Sequence, residues 1–409
     1  MKIIGPFTQL LPMTNMPLKG ALSDDTLPII KNGGIVVDGG KIVETDTYTN
    51  LLKKYPKATL QTTNGNTVAL PGFVDSHTHI CWGGTRAMDF AMRNAGKTYM
   101  DIAREGGGIW STVQNTRKAT KEELVTNIVH RANYLLSQGV TTAEVKSGYG
   151  LSVEEELKML RAIQISHHCT KLHLIPTCLA AHTLPKDFDG NHKEYLELME
   201  NELFPILKEE NLAKRMDAFI EEEAFDAKVT IPYFEKAKEL GFDITVHADQ
   251  FSTGGSEVAV EVGAVSADHL EASTQKEVEM LANSDTVATA LPGATIGLGV
   301  TFTPARALLD AGACLNIASD WNPGSAPQGL LLTQASILAA FQKLSNAEVL
   351  AGLTYRAAHA LREDYIGKLE KDFKANFVTF NTDNYQEITY QQGRLLPSGV
   401  YVEGEKVMG

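Results

Sequence analysis

The clearest chemistry in this chain lies in Leu70-Pro71-Gly72-Phe73-Val74-Asp75-Ser76-His77-Thr78-His79, where two histidines are separated by one residue. On an extended segment, side chains two apart project from the same face, so both imidazoles would converge. Alone, such a pair reads equally well as two metal ligands or as satisfied core or surface histidines. Further titratable groups follow the same kind of apolar run: Lys146-Ser147-Gly148-Tyr149, His182, Glu221-Glu222-Glu223, His247, Asp268-His269 and Asp320. Together His77, His79, His247 and Asp320 would supply three nitrogens and one oxygen. That donor set suits Zn²⁺ or Fe²⁺, with water completing the shell.

The elements that must position these groups are legible between about residues 72 and 362. Eight short apolar or β-branched runs occur there: 73–79, 141–147, 172–179, 217–222, 243–248, 265–269, 286–291 and 314–320. Helical segments lie between them and carry start signals. Thr120 with Glu123, Ser152 with Glu155, Thr274 with Glu277 and Ser345 with Glu348 have capping-box spacing, and Thr303 precedes Pro304 at an expected first helical position. Alternating strands and helices predict an α/β fold, a (β/α)8 TIM barrel, with an open doubly wound sheet as the alternative. No G-x-G-x-x-G opens a helix after the first strand, which weakens the nucleotide-binding version. In a barrel, functional groups gather where strands end, and seven of the eight runs deliver a titratable group at or just past that end. Random placement of 11 histidines would seldom do this.

The chain ends have a different grammar. Gly33-Gly34 and Gly39-Gly40 bracket Ile35-Val36-Val37, and Lys41-Ile42-Val43 follows, a hairpin pattern. Asn376–Phe380, Ile388-Thr389-Tyr390 and Gly399–Val402 look like strands too. Residues 1–70 and 363–409 are therefore expected to form a composite β-sandwich beside a barrel of residues 71–362. A length of 409 residues fits that pair of units.

Composition narrows the function class. A net charge of −13 argues against a nucleic-acid partner, and no stretch nears the eighteen or so apolar residues of a membrane helix. The N-terminus lacks the pattern of a signal peptide. Cys81, Cys169, Cys178 and Cys314 are scattered, as expected of reduced thiols in a cytoplasmic protein.

PGFVDSHTH followed by strand-end His247, His269 and Asp320 resembles the amidohydrolase superfamily. The resemblance implies a metal-dependent hydrolase whose ligands are the first-strand histidines, the fifth-strand histidine and the eighth-strand aspartate, with terminal segments in a small sandwich. HICWGGTRAMDF (79–90), EVKSGYGL (144–151), LAAHTLP (179–185), HADQFS (247–252), SADHLE (266–271) and SDWNPGS (319–325) narrow it further. They are similar to the branch that opens the ring of 4-imidazolone-5-propanoate to N-formimidoyl-L-glutamate in histidine breakdown. The resemblance also suggests one metal ion per chain, Zn²⁺ or Fe²⁺/Fe³⁺, a homodimer, and that small-molecule substrate as partner.

Roles follow from that match. Asp320 would take a proton from water and pass it to the departing ring nitrogen, and His269 would orient or activate that water, or make one hydrogen bond beside it. Arg86 would bind the propionate, since guanidinium grips carboxylate bidentately. Tyr149, His182, Asn322, Gly324 and Ser325 match positions that contact the substrate. Gln250 stands where related cytosine deaminases carry a proton-shuttling glutamate; an amide cannot transfer protons, so it would only position the substrate. Residues Phe219–Glu222 lack the carboxylated lysine of binuclear relatives, Lys146 lying instead on the second strand, so a mononuclear site is expected with Glu221 or Glu222 as hydrogen-bonding partners. His130, His167, His168, His173, His192 and His359 read as packing or surface residues. Another cyclic-amide hydrolase or aminohydrolase of the superfamily, or a non-catalytic ligand-binding barrel, are the competing readings.

Overall fold

The computed structural model describes residues 1–221 and 224–409. One sheet holds eight parallel strands in chain order: β1 (Phe73–Asp75), β2 (Val140–Lys146), β3 (His173–Ala181), β4 (Arg215–Phe219), β5 (Asp243–Ala248), β6 (Ser266–His269), β7 (Val287–Ala290) and β8 (Leu315–Ile317). Its two edges meet beyond the ends of β1 and β8. There Asp320 N donates to His77 O at 3.0 Å, His79 N donates to Trp321 O at 3.0 Å, and Thr78 bridges Trp321. The strands thus round into the expected barrel instead of an open sheet.

Period-two alternation explains what fills it. Ala143 and Val145 on β2, Met216 and Ala218 on β4, and Ile244 and Val246 on β5 join the large apolar cluster shared with the helices. The opposite face presents Glu144 and Lys146, Arg215 and Asp217, Thr245 and His247, all buried. The barrel interior is therefore charged, and it lies directly beneath the rim.

Several expected boundaries move. Regular pairing ends at Asp75 and Ile317, so His77, His79 and Asp320 stand just beyond the ladder, not within it. Asp320 has φ 52°, a left-handed conformation that no strand continues through. β4 ends at Phe219, and Glu222 and Glu223 lie outside the described residues.

The capping signals work as spaced. Thr120, Thr274 and Ser345 each form a capping box, and the Ser152 side chain accepts from Glu155 N. Thr303-Pro304 is the exception: Pro304 is itself the cap of helix Ala305–Ala311, because the Thr303 hydroxyl is committed to His269 O at 2.5 Å.

The terminal segments contribute eight strands to a second, mixed sheet. Ile30–Asp38 and Lys41–Thr47 form the expected hairpin, turning at Gly39 and Gly40 with φ 55° and 79°. Val68–Pro71 pairs antiparallel with Phe377–Phe380, tying the C-terminal segment to the residues that lead straight into β1. Ile4, Phe7, Val37, Phe377 and Tyr401 share one apolar cluster, while Ile3, Val36 and Leu51 share another. Ile388-Thr389-Tyr390 is not a strand; it lies in helix Gln386–Tyr390, started locally where Asn384 Oδ1 accepts from Gln386 N. Among the described residues, no helix is long and apolar enough to cross a membrane.

The turn after β2 shows how the rim is held. Buried Glu156 accepts from Gly148 N at 3.1 Å, Gly150 N at 2.8 Å and Leu151 N at 2.8 Å, fixing the loop that carries Tyr149. Glu156→Ala leaves these three amides unpaired. At about 1–3 kcal/mol for each buried orphan, urea unfolding should show a loss of roughly 3 kcal/mol or more. A loss below about 1 kcal/mol would mean the loop is held by other contacts.

Candidate metal centre

His77 and His79 reach the rim from the end of β1, His247 from β5, His269 from the last position of β6, and Asp320 from beyond β8. All five are buried. His79 Nε2 lies 3.2 Å from His77 Nε2 and 3.3 Å from His247 Nε2, and Asp320 Oδ1 lies 3.5 and 3.4 Å from the His77 and His79 Nε2 atoms. Four tetrahedral donors at roughly 2.0–2.1 Å from a zinc-sized ion stand about 3.3–3.4 Å from one another. The donor set and its spacing therefore fit one small cation. His269 Nδ1 faces Glu271 Oε2 at 3.4 Å, and the ring forms a second possible metal group with His77 and Asp320.

Tautomers follow from the partners on the far side of each ring. His77 Nδ1 lies 2.6 Å from Asp268 Oδ2, and His247 Nδ1 lies 2.9 Å from Asp217 Oδ2. Ionised carboxylates only accept, so both Nδ1 atoms carry hydrogen and both Nε2 lone pairs point inward. Burial, then Lys146, holds His77 well below the usual imidazole range, and burial brings His247 down to about 4. Both rings are thus neutral, as ligands must be. Burial opposes charge on His269 as well, but Glu271, Asp320 and Asp268 outweigh it and raise its pKa.

Beneath the rings sits Lys146. Its Nζ lies 2.7 Å from Glu144 Oε2, 2.8 Å from Asp217 Oδ2 and 3.8 Å from Asp268 Oδ2. Burial works against this ammonium, yet the three carboxylates raise its pKa. Asp217 is correspondingly held low by His247 and Lys146 despite burial, whereas burial wins at Asp268 and lifts it to about 6.

Asp320 is held through its other oxygen. Asn322 Nδ2 donates to Oδ2 at 2.9 Å, and Ser325 Oγ lies 3.3 Å away. Asn322 Oδ1 also accepts from Gly324 N at 2.7 Å and Ser325 N at 2.8 Å. The polar groups of this turn thus serve Asp320 and the turn itself. His269 and Asp320 have φ values of 88° and 52°, backbone strain concentrated at the two groups best placed for chemistry.

A cavity of about 760 Å³ opens over the cluster, and every residue expected to touch substrate lines it: Arg86, Tyr149, His182, Gln250, Asn322, Gly324 and Ser325. His182 Nδ1 lies 2.9 Å from Gly148 O, which can only accept, so its Nε2 presents a lone pair. Glu221 lines the cavity too, but its carboxylate accepts from Phe251 N at 2.8 Å and Ser252 N at 3.1 Å, holding the loop beside Gln250. His130, His167, His168, His173, His192 and His359 do not line the cavity.

Residues 68–407 match the model of the amidohydrolase family. The chain belongs to that family. Among its relatives, proteins named imidazolonepropionase from Bdellovibrio bacteriovorus and Bacillus cereus are 38% and 40% identical. Those alignments cover 95% and 90% of this chain and 92% and 87% of the relatives. Solved structures share the amidohydrolase fold at low identity. A triazine hydrolase variant has TM-score 0.76 at 15% identity, covering 99% of this chain and 94% of its own. A zinc-bound adenosine deaminase from Xanthomonas campestris has TM-score 0.71 at 17% identity, covering 99% and 92%.

Asp217, Asp268, Glu144 and Glu271 were not assigned roles from sequence. Their signal was weak but present: Glu144 and Lys146 lie two apart on one strand, charged residues inside apolar runs. His77→Ala and His247→Ala are expected to lose the ion on dialysis, because each removes one of four donors. Asp217→Asn should keep it with affinity lowered roughly 10- to 100-fold, read by competition with a chelator. Full occupancy in either histidine variant would sink this ligand set.

Proposed function

We propose that this chain hydrolyses the cyclic amide bond of 4-imidazolone-5-propanoate to N-formimidoyl-L-glutamate, using a single ion, Zn²⁺ or iron, held by His77, His79, His247 and Asp320. One observation carries the reading: the donor cluster and the Arg86 guanidinium open onto the same cavity. A ring amide and a carboxylate on a short arm need just that pair of anchors. The identity to relatives named imidazolonepropionase supports it across nearly the whole length.

An ion bound there supplies Lewis acidity toward the ring carbonyl and a water of lowered pKa. Asp320 would accept the proton of the attacking water as the oxygen of that water bonds to the carbonyl carbon. His269, whose ring lies within reach of both His77 and Asp320, orients the water. When the tetrahedral carbon re-forms its double bond and the C–N bond breaks, Asp320 returns the proton to the departing nitrogen. Asn322 and Ser325 keep the Asp320 carboxylate oriented through this cycle. Arg86 draws the propionate, Tyr149 and His182 flank the ring, and Gln250 hydrogen-bonds without exchanging protons, which favours ring opening over deamination. All four cysteines are free, in keeping with a reducing compartment, and the same reading puts the enzyme in the cytoplasm.

Loss of the substrate's ultraviolet absorbance tests the reaction directly. With metal content measured alongside, Asp320→Asn should slow turnover by roughly 10²–10⁴-fold or more, and His269→Asn should slow it while retaining metal. An unchanged His269→Asn rate would reduce that residue to a packing role.

Arg86→Met should lower kcat/KM for the acid by roughly ten- to a few hundredfold and leave the metal in place. The neutral amide of the substrate should be poor for the wild type and nearly indifferent to the change. Equal losses for acid and amide would assign Arg86 to packing.

A further inference from the structure

Arg86 does not face the cavity alone. It caps helix Ala87–Asn94, on which Asp89 and Arg93 follow at three and seven residues, the spacing of one helix face. All three line the cavity. Asp89 Oδ2 takes both Arg86 Nε and Gly108 N, so this carboxylate is committed to fixing Arg86 and the following loop. The Arg93 Nη2 is sealed from solvent and has no hydrogen-bond partner among the described residues. An unpaired guanidinium nitrogen in that position is costly unless something else supplies the acceptor. Burial, and then the neighbouring Arg86, depresses the Arg93 pKa, with Asp89 opposing them. At the start and along one face of this helix, two guanidinium groups meet one carboxylate, Asp89, which leaves a positive charge suited to a carboxylate.

We propose that Arg93 is a second guanidinium of the carboxylate subsite, holding the propionate of the substrate together with Arg86. The assignment rests on the ring-opening reading and deepens it. Ring opening makes a new carboxylate from the ring carbonyl: the oxygen of water joins that carbon and the nitrogen leaves with a proton. That carboxylate arises at the His77–Asp320 cluster, so the paired arginines answer to the propionate already present in the substrate. A cyclic amide with a neutral arm would leave the Arg93 guanidinium without a counter-charge, Asp89 being taken by Arg86. The pair therefore rejects neutral lactams as well as attracting the acid.

The test compares Arg93→Gln, Arg93→Lys and wild type, each with metal content and melting temperature checked, on the acid and its neutral amide. For the acid, Arg93→Gln should raise KM by roughly ten- to a hundredfold with little change in kcat. Arg93→Lys should recover part of that loss, and the amide should be unaffected or improved by either change. The double variant Arg86→Met/Arg93→Gln should lose less than the product of the single losses, because both residues act on one carboxylate. Normal KM in Arg93→Gln, or equal losses on acid and amide, would overturn the proposal while leaving the ring-opening reading intact. A wild-type enzyme that fails to open the ring would overturn both.

Discussion

The cluster depends on one buried cation. Lys146 sits among Glu144, Asp217 and Asp268, and two of those carboxylates reach onward to the Nδ1 atoms of His77 and His247. Three carboxylates packed together without a cation would repel and take up protons. Protonated, they could no longer serve as plain acceptors, and the tautomers of both imidazoles would be free to change. Such a network is expensive to desolvate and contributes little to stability by itself. Its value is positional, since it sets which nitrogen of each ring faces the rim. Glu144 is in turn anchored by Thr177 at 2.5 Å and Arg215 at 3.3 Å, so three adjacent strands share the arrangement.

Above that charged interior, the chemistry is carried on backbone that leaves the ladder. His77, Thr78 and His79 are linked to Asp320 and Trp321 by single hydrogen bonds, the contacts that also bring the first and last strands together. Buried Asp75 accepts from Ser319 N at 2.9 Å and Ser319 Oγ at 2.6 Å, and burial pushes its pKa up to about 7. The closure of the barrel and the placement of Asp320 are thus one structural event. Gly297 shows how tightly the final loop is seated: a Cβ there would lie 1.6 Å from Ser325 O, so the helix approaches backbone to backbone.

The cavity divides by charge. Toward the cluster, imidazoles and Asp320 suit an electrophilic ring carbonyl; toward helix Ala87–Asn94, guanidinium groups suit an anion. Asp89 and Glu221 line it as well, but Asp89 Oδ2 is taken by Arg86 and Gly108 N, and both Glu221 oxygens by Phe251 N and Ser252. A polar substrate with one reactive end and one charged end is what such a division selects.

The barrel, the terminal sheet and the principal donors were legible in the chain itself. Alternation of apolar runs and capped helices is a local property, and so is the same-face placement of His77 and His79. Arg86, Tyr149 and His182, singled out by the motif blocks, line one cavity with those donors. Other features depended on register between strands far apart in sequence. Asp217 meets His247 because β5 sets Thr245 opposite Asp217 on β4, and Asp268 on β6 meets His77, which follows β1, across the barrel. No local pattern encodes that alignment. The early ends of β1 and β8, the commitment of Thr303 to His269 O, and the turn by which Asn322 and Ser325 serve Asp320 were likewise decided by tertiary packing. In each case a polar group found its partner across the barrel, and burial made that partner obligatory.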